Sequence, residues 1–306
     1  MPRDLHELPK LRDGLSYLYV ERCVIEQEGL SVSLWEEDGR TQVPAAALAV
    51  MMLGPGAKIS HAAVRTLCDN GCSIIWCGEE GVRCYAQGVG ETRHAGRIQC
   101  QAEAVVRTER HREVVWRMYE HRFGRQLERD RSLAQIRGME GARMRQTYAQ
   151  AAQEYGIAWH GRRYNRSDWE RGDPVNRALS AANACLNGLA HAAIVSVGYS
   201  PALGFIHVGK QLSFVYDVAD LYKAAITIPL AFRLTAEGTD KLETRVRYAC
   251  RDTFREAQLL RRIVTDVDSV VGYRSGDDGN SASLDEDPAL PEALWSELLD
   301  SETQPW

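Results

Sequence analysis

The stretch FIHVGKQLSFVYDVADLYK, residues 205–223, sets His207, Asp217 and Asp220 among Phe, Val, Ile and Leu. A helix beginning near Phe214 aligns Phe214, Val218, Leu221 and Ala225 as an apolar stripe. At about 100° per residue, Asp217 and Asp220 fall roughly 60° and 120° to one side of that stripe, neighbours on one flank at the edge of a buried face. Two carboxylates held close are unfavourable unless a proton or a cation compensates them, and a divalent metal does so well. The same spacing also describes two solvated acids beside Lys223. His207 lies in the extended apolar segment GFIHVGK, where a histidine is either a satisfied core residue or a ligand.

A third acid, Glu140, stands in IRGMEGARMR between Gly138 and Gly141. Glycine inside a helix costs about 0.5–1 kcal/mol relative to alanine, so the pair predicts close approach by another backbone or by a ligand. The alternative is an ordinary ion pair from Glu140 to Arg137 or Arg143, each one turn away.

Charge is distributed unevenly over the 306 residues. Nine acids and no Lys or Arg fall between Asp277 and Trp306, so the formal net charge of −5 conceals a body of +4. Between Arg93 and Thr147 there are thirteen arginines against seven acids. Arginine outnumbers lysine 32 to 5, and guanidinium forks match phosphate oxygens in pairs. Solvated helix faces give the same counts, but the arginine excess favours a phosphate-bearing partner. The eight cysteines include no CxxC pair and read as buried reduced thiols. No run of about 18 uncharged apolar residues occurs, and the first residues lack a secretory core, so a cytoplasmic protein with no membrane partner is expected. The glycines follow neither the P-loop nor the dinucleotide pattern.

The elements that must position these groups fall in two blocks. Residues 15–87 read as short strands (LSYLYVERCVI, LSVSLWEE, RTQVP, LAVMML, CSIIWC, VRCYAQG) interrupted by one helix near 60–69 with Ser60 as its cap. QGVGETRHAG is the natural linker. Helical periodicity then covers about 97–123, 131–155, 175–198, 214–224 and 240–271. The expectation is an α+β chain: a small N-terminal β-sheet domain over 1–90, a larger, mostly helical domain over 91–272, and an acidic tail over 273–306. In the tail, Leu290, Leu294 and Leu298 recur at helical spacing as a docking helix.

RGMEGARMR, GRRYNRSDW and GFIHVGKQLSFVYDVADLYK, in this order behind a β domain, resemble the CRISPR-associated Cas-one integrase family, most closely its type I-E branch. LGPGAKISHAAVRTL, WCGEEGVRCYAQG and VRYACRDTFR extend the resemblance over roughly residues 12–272. It implies catalytic roles for Glu140, His207, Asp217 and Asp220, with Glu140, His207 and Asp220 around Mg²⁺ or Mn²⁺ and Asp217 orienting its neighbours. The implied reaction is attack of a prespacer 3′-OH on a phosphodiester at the edge of a CRISPR repeat. It implies DNA contacts at Lys58, Arg65 and Arg83, at Arg162, Arg163, Tyr164 and Trp169, and at Lys210, Tyr216, Lys223, Arg245, Arg247 and Arg251. Its expected assembly is two homodimers bridged by the small Cas-two protein, a heterohexamer. Type I-E relatives can carry an aromatic wedge near the start of the β domain, where this chain has Arg22. A structure-specific nuclease on branched DNA or RNA and a non-catalytic DNA-binding scaffold are the competing readings.

Overall fold

The computed structural model describes residues 17–37, 39–79, 84–88, 95–162 and 173–274. The β-rich block forms strands β1 (Tyr17–Val20), β2 (Val24–Glu28), β3 (Ser31–Glu36), β4 (Gly39–Pro44), β5 (Val50–Leu53), β6 (Lys58–Ile59), β7 (Ser73–Cys77) and β8 (Cys84–Gly88). One sheet has the order β1-β5-β7-β8, its first three strands parallel and β8 antiparallel. The other has the order β4-β3-β2-β6. Between β6 and β7 runs helix α1 (His61–Asp69), capped by Ser60 as expected, whose hydroxyl accepts from the Ala63 N–H at 3.2 Å. Arg22, in the β1–β2 turn, takes a φ of +51° and donates its N–H to the Pro55 carbonyl at 3.0 Å.

The runs LAVMML and CSIIWC are apolar throughout because both faces of their sheet are covered. Successive side chains point to opposite faces. Val50, Met52, Ile75 and Cys77 therefore join the core of the helical half. Met51, Leu53 and Ile74 pack instead with Val20, Ile25, Leu34 and Leu67, between this sheet, the second sheet and α1.

The helical half holds α2 (Gly96–Val106), α3 (Thr108–Phe123), α4 (Leu133–Tyr155), α5 (Pro174–Ser196), α6 (Ser213–Ala219), α7 (Thr227–Ala236), α8 (Leu242–Glu256) and α9 (Leu259–Val271). An N-terminal β-sheet region followed by a mostly helical region is thus the architecture. Helix α5 begins where Asp173 accepts from the Asn176 N–H at 2.8 Å with Pro174 in the first turn. It is apolar on nearly every side because helices pack around it; it is long and apolar enough to cross a membrane, yet most of it is buried inside the protein. Through Val50, Met52 and Ile75 the core continues from α5 into the first sheet, and the chain up to Tyr273 forms one compact unit.

Three helices differ from the periodicity. The segment 97–123 breaks at Arg107, whose ψ of 113° is extended. The segment 240–271 breaks at Gln258, with φ 46° and ψ 41°. The segment 214–224 ends early at Ala219. There the chain tightens, with Leu221 N bonded to the Val218 carbonyl at 3.1 Å and Tyr222 N to that of Ala219 at 3.0 Å. That tightening sends Leu221 and Tyr222 both into the core and leaves Asp220 at the helix end. Residues 275–306, with the predicted docking helix, lie outside the described residues, as do Arg83, Arg163, Tyr164 and Trp169.

If α5 is the post of the helical half, Leu186→Ala, at a fully buried position, should lower stability by about 2–5 kcal/mol. A urea titration followed by circular dichroism checks this; an unchanged midpoint would mean that the core collapses around the deletion.

Candidate active site

His207 lies on the loop between α5 and α6, which has no regular structure of its own. Three clamps fix it. Gln101 of α2, fully buried, donates from Nε2 to the carbonyls of Ser200 (3.0 Å) and Leu203 (2.9 Å) and accepts from the Ser200 N–H at 2.8 Å. His111 of α3 places Nε2 2.9 Å from the Phe205 carbonyl and Nδ1 3.2 Å from that of Val105, an acceptor exposed by the break at Arg107. Its ring meets Phe205 edge to face, centroids 5.4 Å apart. The third clamp is Asp217.

The Asp217 carboxylate is wholly buried. Oδ2 accepts the N–H groups of Phe205 (2.6 Å) and Ile206 (3.0 Å). Oδ1 accepts the His207 N–H at 2.9 Å and lies 2.7 Å from His207 Nδ1. A carboxylate can only accept here, so Nδ1 carries the proton, and whenever the ring is neutral its lone pair lies on Nε2. Nε2 points to the Asp220 side, 4.0 Å from Oδ2. Gly204 makes the fold-back possible: a side chain there would collide with the His207 carbonyl oxygen and lie 2.8 Å from the Ser213 Cβ. Asp217 is therefore the positioning residue, a role that an edge-of-face location did not predict.

Glu140 reaches the same region from α4, a helix opened by a capping box between Ser132 and Gln135. Both of its oxygens are held by Arg143, at 2.8 Å to Nε and 2.9 Å to Nη2, so the ion-pair alternative is realised. Among the described residues no other backbone packs against Gly138 or Gly141: the space beside Gly138 is empty within 4 Å, and Gly141 meets only Arg145 Nη1 at 3.6 Å. Of the two neighbours the glycines predict, another backbone or a ligand, the described residues do not supply the backbone. Two turns further along, Tyr148 stacks on Trp159 with centroids 4.7 Å apart. Burial raises the Tyr148 pKa, Arg162 opposes this and Asp220 adds to it, so the phenol stays protonated.

Arg122 of α3 joins the acids. Only 5% of its side chain is exposed; Nη1 lies 4.0 Å from Glu140 and Nη2 3.5 Å from Asp220. Nη2 also donates to the Asp217 backbone carbonyl at 3.4 Å. Lys223 Nζ contacts the other Asp220 oxygen at 2.5 Å. Next to this lysine, Tyr222 donates to Asp266 at 2.6 Å, anchoring the segment on α9. Burial pushes the Asp266 carboxyl up, but hydrogen bonds from His121 and Tyr222 outweigh that and hold it below the usual range.

The structure thus sets Glu140 and Asp220 on either side of Arg122, at 4.0 and 3.5 Å, and His207 beside Asp220, with Asp217 beneath. Two carboxylates and an imidazole with a bare Nε2 are a donor set suited to Mg²⁺ or Mn²⁺. The separation between His207 Nε2 and Asp220 lies within the ligand spacings, about 2.9 Å to about 4.1 Å, that an octahedral ion with bonds near 2.0–2.1 Å allows. As the side chains stand, no three His, Cys, Asp or Glu among the described residues close around one point. Glu140 is turned onto Arg143 instead.

Of the other predicted residues, Lys210, Tyr216 and Lys223 border this site, Tyr216 meeting the His207 ring with centroids 6.0 Å apart. Lys58 and Arg65 lie on β6 and α1, with Arg65 3.5 Å from Asp69. Arg245, Arg247 and Arg251 share α8. Arg245 is bonded to the Gly238 carbonyl (2.9 Å) and Glu237 (2.8 Å), Arg247 to Thr244 (3.0 Å) and Arg251 to Asp252 (2.9 Å). Arg162 grips the start of α5 through Asn176 and Ser180. Sequence reasoning missed Gln101, His111 and Arg122 entirely.

The N-terminal β region and mostly helical half are shared with a family of CRISPR-associated proteins. Residues 95–251 match the family model described as CRISPR associated protein Cas1. The chain is 50% identical over 296 residues to CRISPR-associated endonuclease Cas1 2 of Thermus thermophilus, covering 96% of this chain and 90% of that protein. It is 40% identical over 268 residues to CRISPR-associated endonuclease Cas1 of Escherichia coli, covering 87% and 88%. The fold superposes on the crystal structure of a TtCas1–DNA complex with a TM-score of 0.77 and 51% identity, over 87% of this chain and all of that one. A Cas1 protein from Thermotoga maritima shares the fold alone, with TM-score 0.57 and 15% identity over 84% and 96%. The chain belongs to the Cas1 family.

Asp217→Asn tests the clamp. The amide offers one acceptor oxygen to donors that now share two, and turns an NH₂ towards N–H groups. Stability should fall by about 1–3 kcal/mol, and protease should cut the 198–212 loop faster. A variant with wild-type melting and digestion would mean that Gln101 and His111 suffice to hold the loop.

Proposed function

We propose that this protein is a CRISPR-associated endonuclease and integrase of the type I-E branch. In the proposed reaction it joins the 3′-OH of a prespacer to a phosphodiester at the edge of a CRISPR repeat. The observation that carries the reading is the convergence of Glu140, His207 and Asp220, with the His207 ring aimed by buried Asp217. Membership of the Cas1 family supports it, as do relatives named endonucleases and a similar chain bound to DNA.

Glu140, His207 Nε2 and Asp220 would hold Mg²⁺ or Mn²⁺, which when bound supplies neutralisation for charge developing on phosphate oxygens. In the transfer the 3′-OH gives up its proton to solvent, its oxygen bonds to phosphorus as the P–O bond to the repeat's own 3′-oxygen breaks, and that oxygen leaves and takes up a proton from solvent. Asp217 keeps the imidazole lone pair facing the site throughout. Arg122 stays beside both acids as a fixed positive charge. Lys210, Tyr216 and Lys223 border the site, and Lys58, Arg65, Arg245, Arg247 and Arg251 would extend a DNA-facing surface. Arg162 acts there through the start of α5. The working assembly would be homodimers bridged by Cas-two.

Strand transfer tests this, using prespacer DNA, a repeat-bearing plasmid, the Cas-two partner and Mg²⁺ or Mn²⁺. Glu140→Gln, His207→Ala and Asp220→Asn should each reduce joining by at least about 100-fold. None removes a phosphate-binding cation, so prespacer affinity should hold or improve. A variant that still joins DNA at the wild-type rate removes that residue from the site. Shortened strands without joined ones would favour a trimming nuclease with the same centre.

A further inference from the structure

The cations around the two acids are of two kinds. Arg122 is 5% exposed, anchored on the Asp217 carbonyl and seated 5.4 Å from the Tyr119 ring centroid, so it has nowhere else to go. Arg143 and Lys223 are each 25% exposed and stand at the rim. Yet these two make the short contacts: Arg143 occupies both Glu140 oxygens, at 2.8 and 2.9 Å, and Lys223 occupies Asp220 Oδ1 at 2.5 Å. Arg143 takes one lone pair on each Glu140 oxygen and Lys223 one on Asp220 Oδ1, and a metal that uses those lone pairs must first displace the cation holding them. A divalent ion brought to the same oxygens would also lie against two like charges.

The donor set's chemistry, with no three donors closed around one point among the described residues, points the same way. We infer that Arg143 and Lys223 are exchangeable counter-ions, holding Glu140 and Asp220 while no divalent ion is present, and that metal loading displaces them while Arg122 stays. The inference rests on the metal reading proposed above. Arg143 is placed to leave: a quarter of its side chain is exposed, and apart from Glu140 its guanidinium meets, among the described residues, only soft partners, the Phe123 ring at 5.7 Å and Met144 Sδ at 3.6 Å. Displacement exchanges one neutralising partner for another, so the acids are never buried without a compensating charge.

The experiment is Mn²⁺ binding to the DNA-free full-length chain at fixed pH and salt, following the electron paramagnetic resonance signal of free aqueous Mn²⁺. Arg143→Gln and Lys223→Gln should each tighten Mn²⁺ binding by about three- to tenfold, because the ion no longer competes with a side chain. Arg143→Lys keeps the charge but loses the fork, and should fall between Arg143→Gln and wild type. Arg137→Gln removes an equal charge one turn from Glu140 on the other side. At ordinary salt it should change the affinity by less than about twofold. Unchanged or weaker binding in Arg143→Gln, or equal tightening in Arg137→Gln, overturns the exchange. Glu140→Gln separates the layers: if it binds Mn²⁺ like wild type, the metal reading itself fails. If it loses Mn²⁺ while Arg143→Gln gains nothing, only the exchange fails.

Discussion

One buried carboxylate organises the catalytic half of this protein. Asp217 accepts three consecutive backbone N–H groups and a ring N–H. A buried charge is tolerated only when its lone pairs are taken up, so the loop must close on it in one way. That closure fixes Phe205 in the core, His207 at the surface and the tautomer that leaves Nε2 free. The backbone carbonyl of the same residue receives Arg122, which lies beside Glu140 and Asp220. Asp217 thus helps to align all three candidate ligands while serving as none of them.

Most strands were legible in the sequence because their signal is local: continuous apolar runs between turn residues require covered strands, and β5 and β7 are covered on both faces. LSYLYVERCVI, which reads as one strand, instead divides at Arg22 into β1 and β2 of different sheets, and the two-residue β6 gave no signal. Five helical segments followed from periodicity, but their ends did not, and α7 over Thr227–Ala236 was not expected at all. Spacing alone read Asp217 and Asp220 as neighbours on one flank of a regular helix, and only the family resemblance gave Asp217 an orienting role. The tightened turn after Ala219 separates them into a buried anchor and an acid at the rim, because burying both Leu221 and Tyr222 overrides the helical period. Glu140 was found by its glycines, and its ion pair by spacing. Gln101 and His111 left no trace, since their partners lie 94 to 102 residues away. Arg122 was one of thirteen arginines between residues 93 and 147, and only the packing of α3 against α4 and α6 tells it from the others.

The arginine count says nothing of the partners each guanidinium already has. The forks of Arg162 and Arg245, both expected at a DNA surface, also bind carbonyl, amide, hydroxyl and carboxylate oxygens of this same chain. A guanidinium that matches phosphate in two places matches a helix end equally well. Composition cannot separate the uses, whereas exposure and partners can.

Burial around the centre is graded in a way that follows from the work each group does. Asp217 is fully buried, Arg122 is 5% exposed, Glu140 13%, Asp220 22% and His207 44%. Groups that set geometry lie in the low-dielectric interior, where their hydrogen bonds are strong and water does not compete. Groups proposed to meet the ion and the DNA lie where a large polyanion can arrive and water can leave. Reversing the gradient would fail on both counts, since a dry Glu140 could not shed its arginine and a wet Asp217 would share its donors with solvent. The unregulated look of the 198–212 loop is therefore misleading: its rigidity comes from side chains beneath it, which leaves its upper edge clear.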